Sequence, residues 1–107
     1  MIDVHRFRTT VHKISLGFDV SGETIRSEIR ETSSPTSALI ATWEIEVIGG
    51  GSTGELRLSL DNSVTKHINH KIGYMDILRE SGGEPYSVLD DPIQVCFKDF
   101  PTRPSVE

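Results

Sequence analysis

Residues 39–60 read "LIATWEIEVIGGGSTGELRLSL". In the first ten positions Leu39, Ala41, Trp43, Ile45 and Val47 alternate with Thr42, Glu44 and Glu46. A period of two, carried by β-branched and aromatic residues, is the pattern of a half-buried strand. The stretch at 49–55, "GGGSTGE", has too many glycines for a helix and reads as a turn. Alternation resumes in "ELRLSL" (55–60), with Leu56, Leu58 and Leu60 facing inward. The two halves therefore predict an antiparallel hairpin with a long loop.

The same period runs outward from this hairpin. "TIRSEIRE" (24–31) places Ile25 and Ile29 inward and Arg26, Glu28 and Arg30 outward. "VHRFRTTV" (4–11) suggests a strand with Phe7, Thr9 and Val11 toward a core, followed by a first hairpin turn at "HKISLG" (12–17). "KIGYMDILRE" (71–80) is apolar on both faces, with Ile72, Tyr74 and Leu78 on one and Met75 and Ile77 on the other. A strand covered on both sides, or used at an interface, has this composition. After a turn at "SGGEP" (81–85), "YSVL" and "IQVCF" form two strand pieces around "DDP". Pro92 lacks a ladder donor, which predicts a bulge or an edge there. Residues 98–107 are expected to be extended. Only residues 60–68 look helical, with Asp61 or Asn62 as the cap and Val64 and Ile68 four apart. Six or seven short strands with one helical turn near 61–68 predict an all-β chain: a single antiparallel, immunoglobulin-like β-sandwich over 1–107.

Size and composition fit one soluble domain of 107 residues, with 36% hydrophobic and 25% charged residues. A net charge of −5 repels phosphate backbones, so no nucleic-acid partner is expected. No run of about 20 apolar residues is present, so no membrane partner is expected. The charged start, "MIDVHRFRTTVHK", does not read as a signal peptide, which predicts a chain made in a cytoplasm. The single cysteine, Cys96, has no partner for an internal disulfide and reads as a small strand residue.

The chemistry-bearing residues are sparse. His67 and His70 lie three apart in "KHINHKIGY" (66–74) and are the weak metal candidates. Zinc takes three or four ligands, and His5, His12, Asp61 and Asp76 are all distant in sequence. The competing reading is a polar helix end, where imidazoles interact favourably with terminal carbonyls. "GGGSTGE" lacks the following helix and the lysine of a phosphate loop. Asp90 and Asp91 are adjacent and so point to opposite faces; with Glu84 and Asp76 they offer calcium oxygens but form no calcium loop. Trp43 is expected in the core. No catalytic residue, metal or cofactor is expected.

The order of segments carries more. "FDVSGETIRSEIRE" precedes the hairpin, "SVTKHI" follows it, and "GYMDIL", "VLDDPIQV" and "TRP" complete the series. This series resembles a family of small β-sandwich domains in tailed-bacteriophage structural proteins: the N-terminal domain of baseplate upper proteins and tail-fibre attachment domains. The matching residues run from Asp19, Gly22 and Thr24 through Ser63 and Thr65 to Gly73, Tyr74, Asp76, Ile77, Thr102 and Arg103. Asp90, Asp91 and Pro92 stand where that family usually has a glycine turn.

The resemblance implies a non-enzymatic virion protein of the tail, baseplate or neck, made in the host cytoplasm. It also implies a homo-oligomer whose partners are other copies of itself and neighbouring virion proteins. Tyr74, Met75 and Ile77, on the two-sided apolar strand, are the interface candidates. The alternative is an immunoglobulin-like module that binds a glycan or protein through its loops, with Tyr74, Trp43 and Tyr86 as the available aromatics. A thinner third reading is a metal-dependent enzyme using His67 and His70.

Overall fold

A computed structural model describes residues 2–89 and 91–99. The described chain is mostly β, as the alternation predicts. Eleven short strands run in the order β1 (Ile2–His5), β2 (Thr10–Ser15), β3 (Thr24–Arg26), β4 (Glu28–Arg30), β5 (Leu39–Thr42), β6 (Glu44–Val47), β7 (Glu55–Leu60), β8 (Ile72–Met75), β9 (Leu78–Ser81), β10 (Glu84–Ser87) and β11 (Ile93–Lys98). One helical turn, α1 (Asn62–Thr65), follows β7. Among the described residues the strands form three sheets: β1-β11-β8-β4-β5, β10-β9-β3 and β2-β7-β6. Each pairing is antiparallel except β1 with β11, which is parallel and so departs from the antiparallel expectation.

Seven predicted strand segments become eleven because three runs each break at a corner and the first divides at the turn through Phe7. The run 24–31 breaks at Ser27, the run 39–48 at Trp43, and the run 71–80 at 76–77. The breaks are bonded to one another. The Trp43 N–H donates to the Ser27 carbonyl at 3.0 Å, and the Ser27 hydroxyl donates to the Asp76 carbonyl at 2.5 Å. Ser27 and Trp43 are both buried. These bonds satisfy backbone groups that leave their ladders at the bend, where an orphaned group would cost about 1–3 kcal/mol. The chain then continues into a different sheet. β4 and β8 pair in the large sheet, while their extensions β3 and β9 pair in the β10-β9-β3 sheet.

The quoted hairpin forms in part: β6 pairs with β7, while β5, the first half of the same run, pairs with β4 in the large sheet. β6 and β7 pair with Ile45 opposite Leu58 and Val47 opposite Leu56. Leu56 and Leu58 are 0% exposed and Leu60 is 1% exposed. They join Val4, Ile29, Met75 and Val95 of the large sheet in one core cluster. Burial of each such side chain contributes on the order of 1.5–3 kcal/mol. The glycine-rich loop is also a docking element. The Leu16 N–H donates to the Gly54 carbonyl and the Val20 N–H to the Gly51 carbonyl, both at 2.8 Å. These bonds hold the 16–23 segment against the hairpin.

The first predicted strand is overturned in its phase. β1 ends at His5, and residues 6–9 form a turn through Phe7, whose φ is +64°. β2 then begins at Thr10 and runs through the residues expected to form the first hairpin turn, 12–15. Val4 and Thr10 are buried, whereas Thr9 and Val11 are exposed. Inward positions are even-numbered on both sides of the turn, in β1 beside β11 and in β2 beside β7, so the core takes the opposite set from Phe7, Thr9 and Val11. Leu39 is likewise 49% exposed rather than inward. A register shift at Ile29/Arg30 places it opposite Arg30. Asp90 and the predicted tail from residue 100 onward lie outside the described residues.

The helical prediction holds. Asp61 caps α1 by accepting from the Ser63 N–H at 3.1 Å. The Ser63 hydroxyl also donates to it, at 2.5 Å, and these bonds hold its carboxyl below the ordinary carboxylate range. Asp19 is lowered in the same way by Ser21. A carboxyl lowered on folding contributes stability above its unfolded pKa and loses that contribution as pH falls through its folded value. Acid titration of unfolding below pH 4 is expected to show a shallower loss for Asp61→Asn than for the natural chain. Equal slopes would remove Asp61 from that dependence.

Candidate functional site

The interface candidates separate by strand parity. Gly73, Met75 and Ile77 turn inward, and Ile72 and Tyr74 turn outward. Met75 is 1% and Ile77 0% exposed, so both are core residues and cannot meet a partner. This corrects their assignment as interface residues, and the cause is packing. Gly73 leaves the space that Ile29 and Ile40 fill; a Cβ there would lie 2.8 Å from Ile29 Cγ2 and 3.1 Å from Ile40 Cδ1. Tyr74 remains accessible, joined by Ile72.

Register assembles the rest of the outer face. One row crosses Asp3, Cys96 and Ile72. The next crosses Gln94, Tyr74, Arg30 and Leu39. Ile72 and Leu39 are exposed, while Tyr74 and Cys96 are half-buried. The face therefore has a small apolar centre of Cys96, Ile72 and Tyr74, from which Arg30 separates Leu39. Ion pairs border it: Lys98 Nζ to Asp3 Oδ2 at 3.1 Å and Arg30 Nη2 to Glu28 Oε1 at 3.1 Å. The Arg30 Nη1 also donates to the Ser37 carbonyl at 2.7 Å, which anchors the 32–37 loop beside the sheet.

An open cleft of about 340 Å³ lies where this face meets the corner. Arg26, Glu28 and Arg30 line it together with Tyr74, Pro35 and Pro92. The alternation of 24–31 read these three charged side chains as outward. The cleft they line depends on the corner, which the alternation did not reveal.

The two histidines serve different ends. His70 Nε2 meets Glu31 Oε1 at 2.9 Å, a link between two loops that sequence distance concealed. His67 is exposed at the end of α1. Arg6 organises this stretch: its Nε donates to the Ile68 carbonyl at 2.9 Å, and its Nη2 donates to the His70 carbonyl. Its Nη1 pairs with Asp99 at 2.9 Å. Among the described residues no three His, Cys, Asp or Glu side chains converge as a metal site, so His67 and His70 are not joined by a third ligand. The same holds for Asp76, Glu84 and Asp91 as calcium ligands.

The aromatic candidates also divide. Trp43 is buried, edge-on to His12 with centroids 6.0 Å apart, and is unavailable as a binding platform. Tyr86 is 50% exposed. The Arg79 guanidinium lies 5.4 Å from its ring centroid and 5.0 Å from that of Phe18. Arg79 also pairs with Glu23 at 3.4 Å, which binds the 16–23 segment to β9. Arg79 and Phe18 were not singled out in the sequence, since their contact joins segments about sixty residues apart.

No protein-family model matches the chain, and no curated protein matches it. Among the described residues no helix is long and apolar enough to cross a membrane.

Proposed function

We propose that this chain is a non-enzymatic virion structural protein of a bacteriophage or prophage, placed in the tail, baseplate or neck. It is made in the host cytoplasm and works by assembling with copies of itself and with neighbouring virion proteins. The observation that carries this reading is the outer face of the five-stranded sheet, where Ile72 and Tyr74 lie on β8 beside Cys96, flanked by charged pairs, with Leu39 beyond Arg30 on β5. Exposed apolar patches rimmed by polar residues mark interaction surfaces. The segment order that resembles phage tail domains supports the same reading. In fold, we read the five-stranded and β2-β7-β6 sheets as the two layers of a single immunoglobulin-like sandwich. Their shared core cluster supports that reading.

Sedimentation velocity at rising concentration tests the assembly step. Species heavier than the 11.9 kDa chain are expected at high concentration. A strict monomer there, with no phage structural genes beside the coding gene, overturns the proposal. A second reading, a module binding a glycan or protein through its loops, draws on exposed Tyr86. Specific binding on a glycan array would favour it.

A further inference from the structure

Two open clefts among the described residues are similar in size and differ in chemistry. One, of about 370 Å³, lies on the β2-β7-β6 sheet. It is lined by the carboxylates of Glu44 and Glu46, the guanidinium of Arg57 and no aromatic ring. The other, of about 340 Å³, is the cleft at the corner. Two guanidiniums, Arg26 and Arg30, line it with two carboxylates, Glu28 and Asp76, and the ring of Tyr74. Its charges therefore balance, and Pro35 and Pro92 add apolar lining.

These groups are not equally engaged. Arg30 is committed to the Ser37 carbonyl at 2.7 Å and to Glu28 at 3.1 Å. Arg26 is not: its side chain is 62% exposed, and Glu80 lies 3.9 Å from it, beyond hydrogen-bond length. The Ser27 hydroxyl holds the Asp76 carbonyl, which fixes the backbone there. The Asp76 carboxylate and the Tyr74 hydroxyl make no hydrogen bond among the described residues. The cleft thus offers an open donor fork, an open acceptor and an aromatic ring.

We infer that the corner cleft is a binding site for a neutral saccharide. An anion there would meet Glu28 and Asp76, and a cation would meet Arg26 and Arg30. An uncharged ring rich in hydroxyls meets neither repulsion. One hydroxyl accepts from the Arg26 fork while its neighbour donates to Asp76. The C–H face of the same ring packs on Tyr74, which presents an apolar body and a polar tip. The bonding groups come from three segments, 26–28, 32–34 and 74–76. That scatter suits a compact ring better than an extended peptide, which takes its bonds along one strand edge. The volume lies at the lower end for small-molecule sites, room for about one or two sugar rings. The inference goes beyond the assembly reading and does not rest on it. The cleft is complete within one copy, and Ile72 and Cys96 do not line it.

Amide NMR of the full chain reads the site, in dilute solution so that no second copy covers Tyr74. Glucose, galactose, lactose and maltose are the probes. At least one is expected to shift amides at 26–28, 32–34 and 74–76, with a Kd on the order of 1–10 mM for so small a ligand. Arg26→Ala and Tyr74→Ala are each expected to weaken that binding about fivefold or more. Arg57→Ala removes a matched arginine from the other cleft, 51% exposed and 3.9 Å from Glu46. It is expected to bind like the natural chain. Circular dichroism checks each fold; if Tyr74→Ala loses its fold, Arg26→Ala, at an exposed side chain, decides alone.

No shift at these amides with any of the four sugars overturns the inference, while sedimentation judges the assembly reading separately. Binding that survives Arg26→Ala but is lost in Arg57→Ala moves the site to the other cleft and overturns it too. Inorganic phosphate and a terminally blocked tetra-alanine are titrated alongside. If either shifts the same amides at lower concentration than every sugar, the cleft is an anion or peptide site and the saccharide inference falls.

Discussion

Gly54→Ala is expected to destabilise the chain by about 3 kcal/mol, from backbone strain and overpacking together. Gly54 has φ +73°, and a Cβ there would lie 2.2 Å from the Phe18 carbonyl oxygen and 3.1 Å from the Phe18 nitrogen. Those are backbone atoms, held by the bonds that tie segment 16–23 to the glycine loop, so they cannot swing aside as a side chain would. Gly49 provides the control. Its φ is +63°, and nothing lies within 4 Å of a Cβ built on it. Gly49→Ala therefore meets the left-handed strain alone, about 1–2 kcal/mol. Urea unfolding of both variants separates the two contributions through their midpoints, provided the slopes agree with the natural chain. Equal losses would mean that Phe18 is not held against the loop. A large stability in a marginal domain is on the order of 5–15 kcal/mol, so the Gly54 loss is a substantial part of the whole.

This glycine shows what the sequence did and did not make legible. "GGGSTGE" announces a turn by composition. It does not announce what the turn touches, because Phe18 is far away in the chain and contributes only backbone. The corners were illegible for a related reason. Ile25, Ser27 and Ile29, and again Ala41, Trp43 and Ile45, keep the same inward parity through each break. Alternation therefore persists while the chain passes into another sheet. The bonds that fix the bend come from Ser27, Trp43 and Asp76, spread over fifty positions. At the N-terminus the inward set is the even-numbered one on both sides of the turn through Phe7, with Val4 and Thr10 buried, so a pattern built on Phe7, Thr9 and Val11 takes the wrong phase.

The candidate site was half legible. The two faces of the apolar run at 72–78 divide as the alternation has them, Ile72 and Tyr74 against Met75 and Ile77. Which face was core depended on Gly73, whose missing side chain admits Ile29 and Ile40. No local pattern reports that. The neighbours of Tyr74 on the outer face, Arg30, Leu39 and Gln94, come from three other strands and are set by register alone. Likewise, the partner of His70 is Glu31, and the organiser of its loop is Arg6. Both contacts are non-local, and neither leaves a periodic trace.

Leu58→Ala is expected to cost about 2–5 kcal/mol, the range for a leucine removed from a close-packed core. Leu58 is central to β7, paired with His12 on one side and Ile45 on the other. It is 0% exposed and packs in the cluster that both larger sheets share. Strands on either side fix the backbone, so the cavity cannot collapse readily, and the upper part of the range is the expected one. Leu39→Ala is the informative contrast. Alternation placed both leucines inward in the same hairpin run, yet Leu39 is 49% exposed on the edge strand β5. Its replacement is expected to change stability by less than about 0.5 kcal/mol in dilute solution, where any contact between copies is absent. Chemical denaturation of both variants at low micromolar concentration decides the point. Comparable losses would mean that Leu39 is buried within the single chain after all. That result would also take Leu39 out of the exposed apolar surface on which the assembly reading draws. A near-silent Leu39→Ala in dilute solution that weakens association at high concentration would instead tie this leucine's exposure to the assembly of the chain.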